Sequence, residues 1–79
     1  MADDDLNPTE ASHLIADRLA IALEDAGFNV GTAFPELRQG WDVSGAPGVR
    51  IGSVTSEVAA DLAALLFRAT NAGVTLPLA

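Results

Sequence analysis

The chain contains no cysteine, no lysine and no tyrosine in its 79 residues. Without cysteine there is no disulfide to staple a small fold, no thiol chemistry and no cysteine-ligated zinc. Without lysine, positive charge comes only from Arg18, Arg38, Arg50 and Arg68, set against eleven acidic residues for a net charge of −7. Phosphate contacts need clustered cations, and these four are dispersed, so no nucleic-acid or anionic-membrane partner is expected. No apolar run approaches the length of a bilayer span. The N-terminus carries Asp3, Asp4 and Asp5, the opposite of a basic signal-peptide start, so a cytoplasmic location is expected. Arginine-only, alanine-rich usage fits a GC-rich genome, bacterial or phage.

What is present is an apolar chain: 49% of its residues are hydrophobic, which argues for a folded globule rather than disorder. The length allows one domain, placed at 7–79 behind a flexible acidic tail at 1–6. A chain this short makes a marginal core. With disulfides excluded, oligomerisation or economical packing must compensate.

A first helix starts at Asn7, which can cap, with Pro8 in the first turn and Glu10 three residues on. Leu6 and Ala11 are spaced as a hydrophobic staple. The helix runs to about Ala26, where Gly27 can supply the left-handed stop and Phe28 the hydrophobic clasp. At about 100° per residue, Ala11, Ile15, Leu19, Ala22, Leu23 and Ala26 share the expected core face. Glu10, His13, Asp17 and Glu24 line the opposite side, with Leu14 and Ile21 among them as scattered exposed aliphatics or part of a partner surface.

Residues 28–30 read as a short strand and 31–35 as a loop. Segments 37–43 and 49–53 then form a hairpin about a loop at 44–48. That register sets Val43 against Val49, Asp42 against Arg50 and Trp41 against Ile51. It puts Leu37, Trp41, Val43, Val49 and Ile51 on one apolar face, with Trp41 in the core or at its rim. A second helix covers 56–72, capped by Thr55. The tail, with Val74, Leu76 and Leu78 alternating with Thr75 and Pro77, reads as a short edge strand or an apolar flap. The expected fold is α+β in two layers: a β-hairpin or three-stranded antiparallel sheet carrying both helices on its apolar face.

The second helix is the most informative segment, because it is apolar nearly all the way round. Val58, Leu62, Leu65, Leu66 and Ala69 form one face. Ala60, Ala63, Ala64 and Phe67 form another, and only Glu57, Asp61 and Arg68 make a charged strip. Phe67 either packs under the C-terminal tail or the first helix, or forms a subunit contact among small alanines.

The search for chemistry is brief. Glu10, His13 and Asp17 share a helix face and could bind a metal weakly, but the plainer reading is an exposed histidine, and no metal site is assigned. Serines 12, 44, 53 and 56 fit no nucleophile pattern. The glycines match no phosphate-binding fingerprint, and no lysine exists to reach a phosphate. Trp41 could serve as a partner hot spot. Arg38 and Arg50 could hold one anion, although Asp42 between them opposes it. No cofactor, catalytic residue or small-molecule substrate is expected.

These readings converge on a small non-enzymatic protein–protein interaction module, homodimeric or bound to another protein. Its contact residues are Ala60, Ala63, Ala64 and Phe67, with Leu14 and Ile21. The first alternative is an acidic inhibitor or DNA mimic of phage or mobile-element type that docks on a basic protein surface. The second is a small enzyme or metal binder centred on His13.

Overall fold

A computed structural model describes residues 7–77. The fold is α+β: three helices and a two-stranded antiparallel sheet, in the order α1 (Pro8–Asp25), α2 (Val30–Ala33), β1 (Arg38–Trp41), β2 (Pro47–Arg50), α3 (Ser56–Asn71). The expected tail at 1–6 and the Leu6 staple lie outside the described residues.

α1 starts as its sequence dictates. The Asn7 side chain accepts from the Glu10 amide at 2.8 Å, and Glu10 accepts from the Asn7 amide at 3.3 Å, a reciprocal capping box with Pro8 behind it. It ends in a Schellman motif: the Phe28 amide donates to Leu23 O and the Gly27 amide to Glu24 O, with Gly27 at φ 112°. The buried stripe is Ser12, Ala16 and Leu23, with Leu19 half-buried. This is rotated from the expected face, because Ile15 is 55% exposed and Ala22 and Ala26 are exposed. The apolar residues of α1 cover more than half a turn, so periodicity alone leaves the choice of side open. Small Ser12 and Ala16 let the hairpin lie close, whereas Ile15 would hold it away. Ser12 can be buried because its hydroxyl donates to Pro8 O at 2.9 Å.

Residues 28–30 do not form a strand. The chain leaves Gly27 and winds into the single turn α2, with the Ala33 amide on Asn29 O at 2.7 Å and the Phe34 amide on Val30 O at 2.8 Å. That turn brings Phe34 back against Phe28, edge to face at 5.3 Å and 84°. Phe34, at 3% exposure, is the most buried of the core residues, with Ala16 and Leu23.

The hairpin forms, in another register. Arg38 pairs with Arg50, Gln39 with Val49, Gly40 with Gly48 and Trp41 with Pro47, so the loop is 42–46 rather than 44–48. Asp42 is the cause. Its Oδ1 accepts from the Ser44 amide (2.8 Å), the Ser44 hydroxyl (2.6 Å) and the Ala46 amide (3.1 Å). An aspartate that captures the loop backbone in this way ends the strand instead of extending it. Val43 and Ile51 therefore lie outside the ladder and are exposed, and Trp41, expected in the core or at its rim, is 66% exposed at the strand end.

α1 packs on both strands, and a lone hairpin needs such support. The nearest neighbours of a Cβ built on Gly40 or Gly48 would be Arg50 and Asp42 of the hairpin itself, so the face carrying Arg38, Gly40, Gly48 and Arg50 points away from α1. α3 does not join this layer. No residue of α3 is buried, and its packing on the other elements is slight beside that of α1. Nor does the tail form an edge strand or flap through 74–77: the Val74 amide closes α3 onto Ala69 O, and Val74 and Leu76 are exposed. Leu78 lies outside the described residues.

Candidate interaction surface

α3 is well made as a helix. Thr55 Oγ1 accepts from the Val58 amide at 3.2 Å, and Glu57 and Arg68 occupy the ends that suit their charges. A second Schellman motif ends it, with the Val74 amide on Ala69 O, the Gly73 amide on Thr70 O and Gly73 at φ 85°. Local bonding is complete, but no residue of α3 is fully buried. Val58, Leu62, Leu65 and Ala69, spaced by four, three and four residues, form a half-buried inner stripe.

The opposite side is open. Ser56, Ala59, Ala60, Ala63, Leu66 and Phe67 are all exposed, Leu66 at 55% and Phe67 at 70%. Sequence periodicity assigns Leu66 to the inner face, but the structure turns it out. Its angular position falls between the two apolar faces, so its neighbours decide. Ala59 and Ser56 escape attention in sequence because small residues give no signal until the large ones around them are placed. Ala64 lines a different feature, a cleft of about 280 Å³ with Asp61, Leu65 and Arg68 facing Ala26, Gly27 and Phe28. Of the residues expected to act together, Ala60, Ala63 and Phe67 therefore share the outer face and Ala64 borders it. Leu14 and Ile21 are exposed on α1, on the side turned from the hairpin.

Two carboxylates organise the hairpin. Glu36 Oε1 accepts from Arg50 at 3.2 Å, and its Oε2 accepts from the Ser53 amide at 3.3 Å. The Arg50 hydrogen bond and the Ser53 amide hold its pKa below the ordinary carboxylate value. The hydrogen bonds from Ser44 and Ala46 do the same for Asp42. Arg38 and Arg50 are cross-strand neighbours with like charges, and Glu36 supplies the neutralising acid. A shallow cavity of about 360 Å³ lies among Arg38, Gln39, Gly40, Trp41 and Arg50. His13 is exposed between exposed Glu10 and Asp17, and no metal-binding group of three or more such residues occurs among the described residues. No helix among the described residues is long and apolar enough to cross a membrane.

No protein-family model, curated protein or solved structure matches this chain.

Proposed function

We propose that the chain is a non-enzymatic protein–protein interaction module, homodimeric, acting through the outer face of α3. The observation that carries this reading is that α3 has two apolar faces yet buries no residue, and Phe67 projects at 70% exposure from the unpartnered one. Exposed apolar patches of this kind on small domains mark contact sites. Among the described residues, the 74–77 segment leaves Phe67 open, with Val74 and Leu76 themselves exposed. The acidic-inhibitor reading is supported by the exposed α1 row Glu10, Asp17 and Glu24 alone: Glu57 and Asp61 share their flank with Arg68, and Glu36 and Asp42 serve the hairpin.

Phe67→Asp tests the reading by light scattering and far-ultraviolet circular dichroism across a dilution series. The expected result is a folded protein whose dimer mass falls to that of a monomer, with self-affinity reduced about 30-fold or more, as for an interface hot spot. Loss of the fold would place Phe67 inside the protomer, because a buried unpaired charge is not tolerated. Unchanged mass and stability would remove the outer face of α3 from any self-contact. Either result overturns the proposal.

A further inference from the structure

We infer that α3 pairs antiparallel with α3 of a second copy of this chain about a two-fold axis at Ala63, each Phe67 seated among Ser56, Ala59, Ala60 and Ala63 of the other copy. This geometry rests on the reading of α3 as the contact surface; two observations select it, and a third leaves room for it.

The first is shape. A knob of one helix fits a hole made by residues i, i+3, i+4 and i+7 of its neighbour. Residues 56, 59, 60 and 63 are such a set, all exposed and all serine or alanine. The large exposed side chains of the same face, Leu66 and Phe67, lie in the other half of the helix. A two-fold contact requires that residue i touch j while j touches i. Phe67 lies four residues after Ala63 and Ala59 four before it, so antiparallel pairing sets large against small at both ends. Parallel pairing would set Phe67 against Phe67 and leave the alanines facing a gap.

The second is charge. Glu57 and Asp61 occupy the N-terminal half of one flank and Arg68 the C-terminal half. Arg68 is seven and eleven residues from these acids, outside the three- or four-residue spacing of a helical ion pair. The one ion pair among the described residues joins Arg50 and Glu36. The antiparallel register carries Arg68 to the level of residue 58 in the second copy, between its Glu57 and Asp61. Parallel two-fold pairing would instead set the charged flank of each copy against the Ala59 and Leu66 flank of the other, leaving Arg68 with no acid across the contact.

The third is area. The protomer exposes 6143 Å², whereas a compact monomer of its mass exposes about 4,500 Å². The difference is an upper bound on missing contact, and it exceeds the roughly 800 Å² per partner of a standard interface.

The chain lacks cysteine, so single introduced thiols report the geometry directly. Ala63→Cys is expected to oxidise to a covalent dimer. Ala59→Cys is not, because its counterpart lies eight residues along the pair, about 12 Å away at 1.5 Å per residue and beyond disulfide reach. Arg68→Glu should weaken self-association about five- to tenfold by sedimentation, and mixing it with Glu57→Arg should restore the dimer. Cross-linking of Ala59→Cys as readily as Ala63→Cys would overturn the antiparallel register while leaving α3 as the contact. So would a dimer indifferent to Arg68→Glu. A monomeric wild type at every concentration would overturn both the register and the homodimer.

Discussion

The two halves of the molecule use apolar residues in opposite ways. The α1–α2–hairpin half holds every buried residue among those described, namely Ser12, Ala16, Leu23 and Phe34. It does so with modest material: a serine, an alanine, one leucine and a T-shaped phenylalanine pair. α3 carries Val58, Leu62, Leu65, Leu66 and Phe67 and buries none of them. Apolar content states that a surface is costly to leave in water, not which surface will cover it. In the first half, short connections bring the covering elements within reach. In α3, no other described element lies over the outer face.

The strongest way to break this contrast is to remove one aromatic from each half. Phe34→Ala empties a site 3% exposed and dismantles its contact with Phe28. It should cost about 3–4 kcal/mol in denaturant unfolding, close to the whole stability of a small domain. Phe67→Ala should leave the fold of the protomer intact and act on self-association instead. If both substitutions destabilise equally at high dilution, where no dimer persists, α3 belongs to the protomer core and the contrast fails.

How far the fold was legible follows the same division. The caps were readable because they are local: Asn7 with Glu10, Gly27 after Ala26, and Thr55 before the second long helix each act within a few residues. The hairpin was readable and its register was not, because the side chain of Asp42 competes with the ladder for the loop amides. The strand expected at 28–30 became α2 once Phe28 and Phe34 could meet, a contact invisible to periodicity. The rotation of α1 toward Ser12 and Ala16 had no sequence signal, since a serine is scored as polar until its hydroxyl finds Pro8 O. The outer residues Ala60, Ala63 and Phe67 were legible from helical spacing. Leu66 and Ala64 needed neighbours in space to be placed.

A smaller effect sharpens the boundary between the halves. Gly52 stands in the connection to α3 at φ 81°, and a Cβ there would collide with Glu36 Cβ. Gly52→Ala therefore combines a left-handed backbone with a collision. It should destabilise by about 1–3 kcal/mol, read as a lower denaturation midpoint. The loss should be local to the hairpin: Glu36 must move, which opens its contacts with Arg50 and Ser53, while the helicity of α3 persists. A coupled loss of α3 helicity would show that the two halves are less independent than their packing indicates.

The smallest effect is set by pH and again falls on one half. Glu36 and Asp42 both have pKa values lowered in the folded chain, by hydrogen bonds from Arg50 and Ser53 and from Ser44 and Ala46 respectively. A carboxylate whose folded pKa lies below its unfolded value adds stability above the unfolded pKa. That contribution is lost as pH falls through the folded value. Acidification from about pH 5 toward pH 3 should therefore loosen the hairpin. Asp42 is exposed and Glu36 is only half-buried, so solvent keeps the effect small. The double variant Glu36→Gln, Asp42→Asn should flatten that acid limb in thermal melts recorded against pH. α3 has no hydrogen-bonded carboxylate of this kind, so Glu57→Gln should leave the limb in place. An unchanged limb in the double variant would mean that the acid sensitivity arises elsewhere and that the hairpin holds its register without these two side chains.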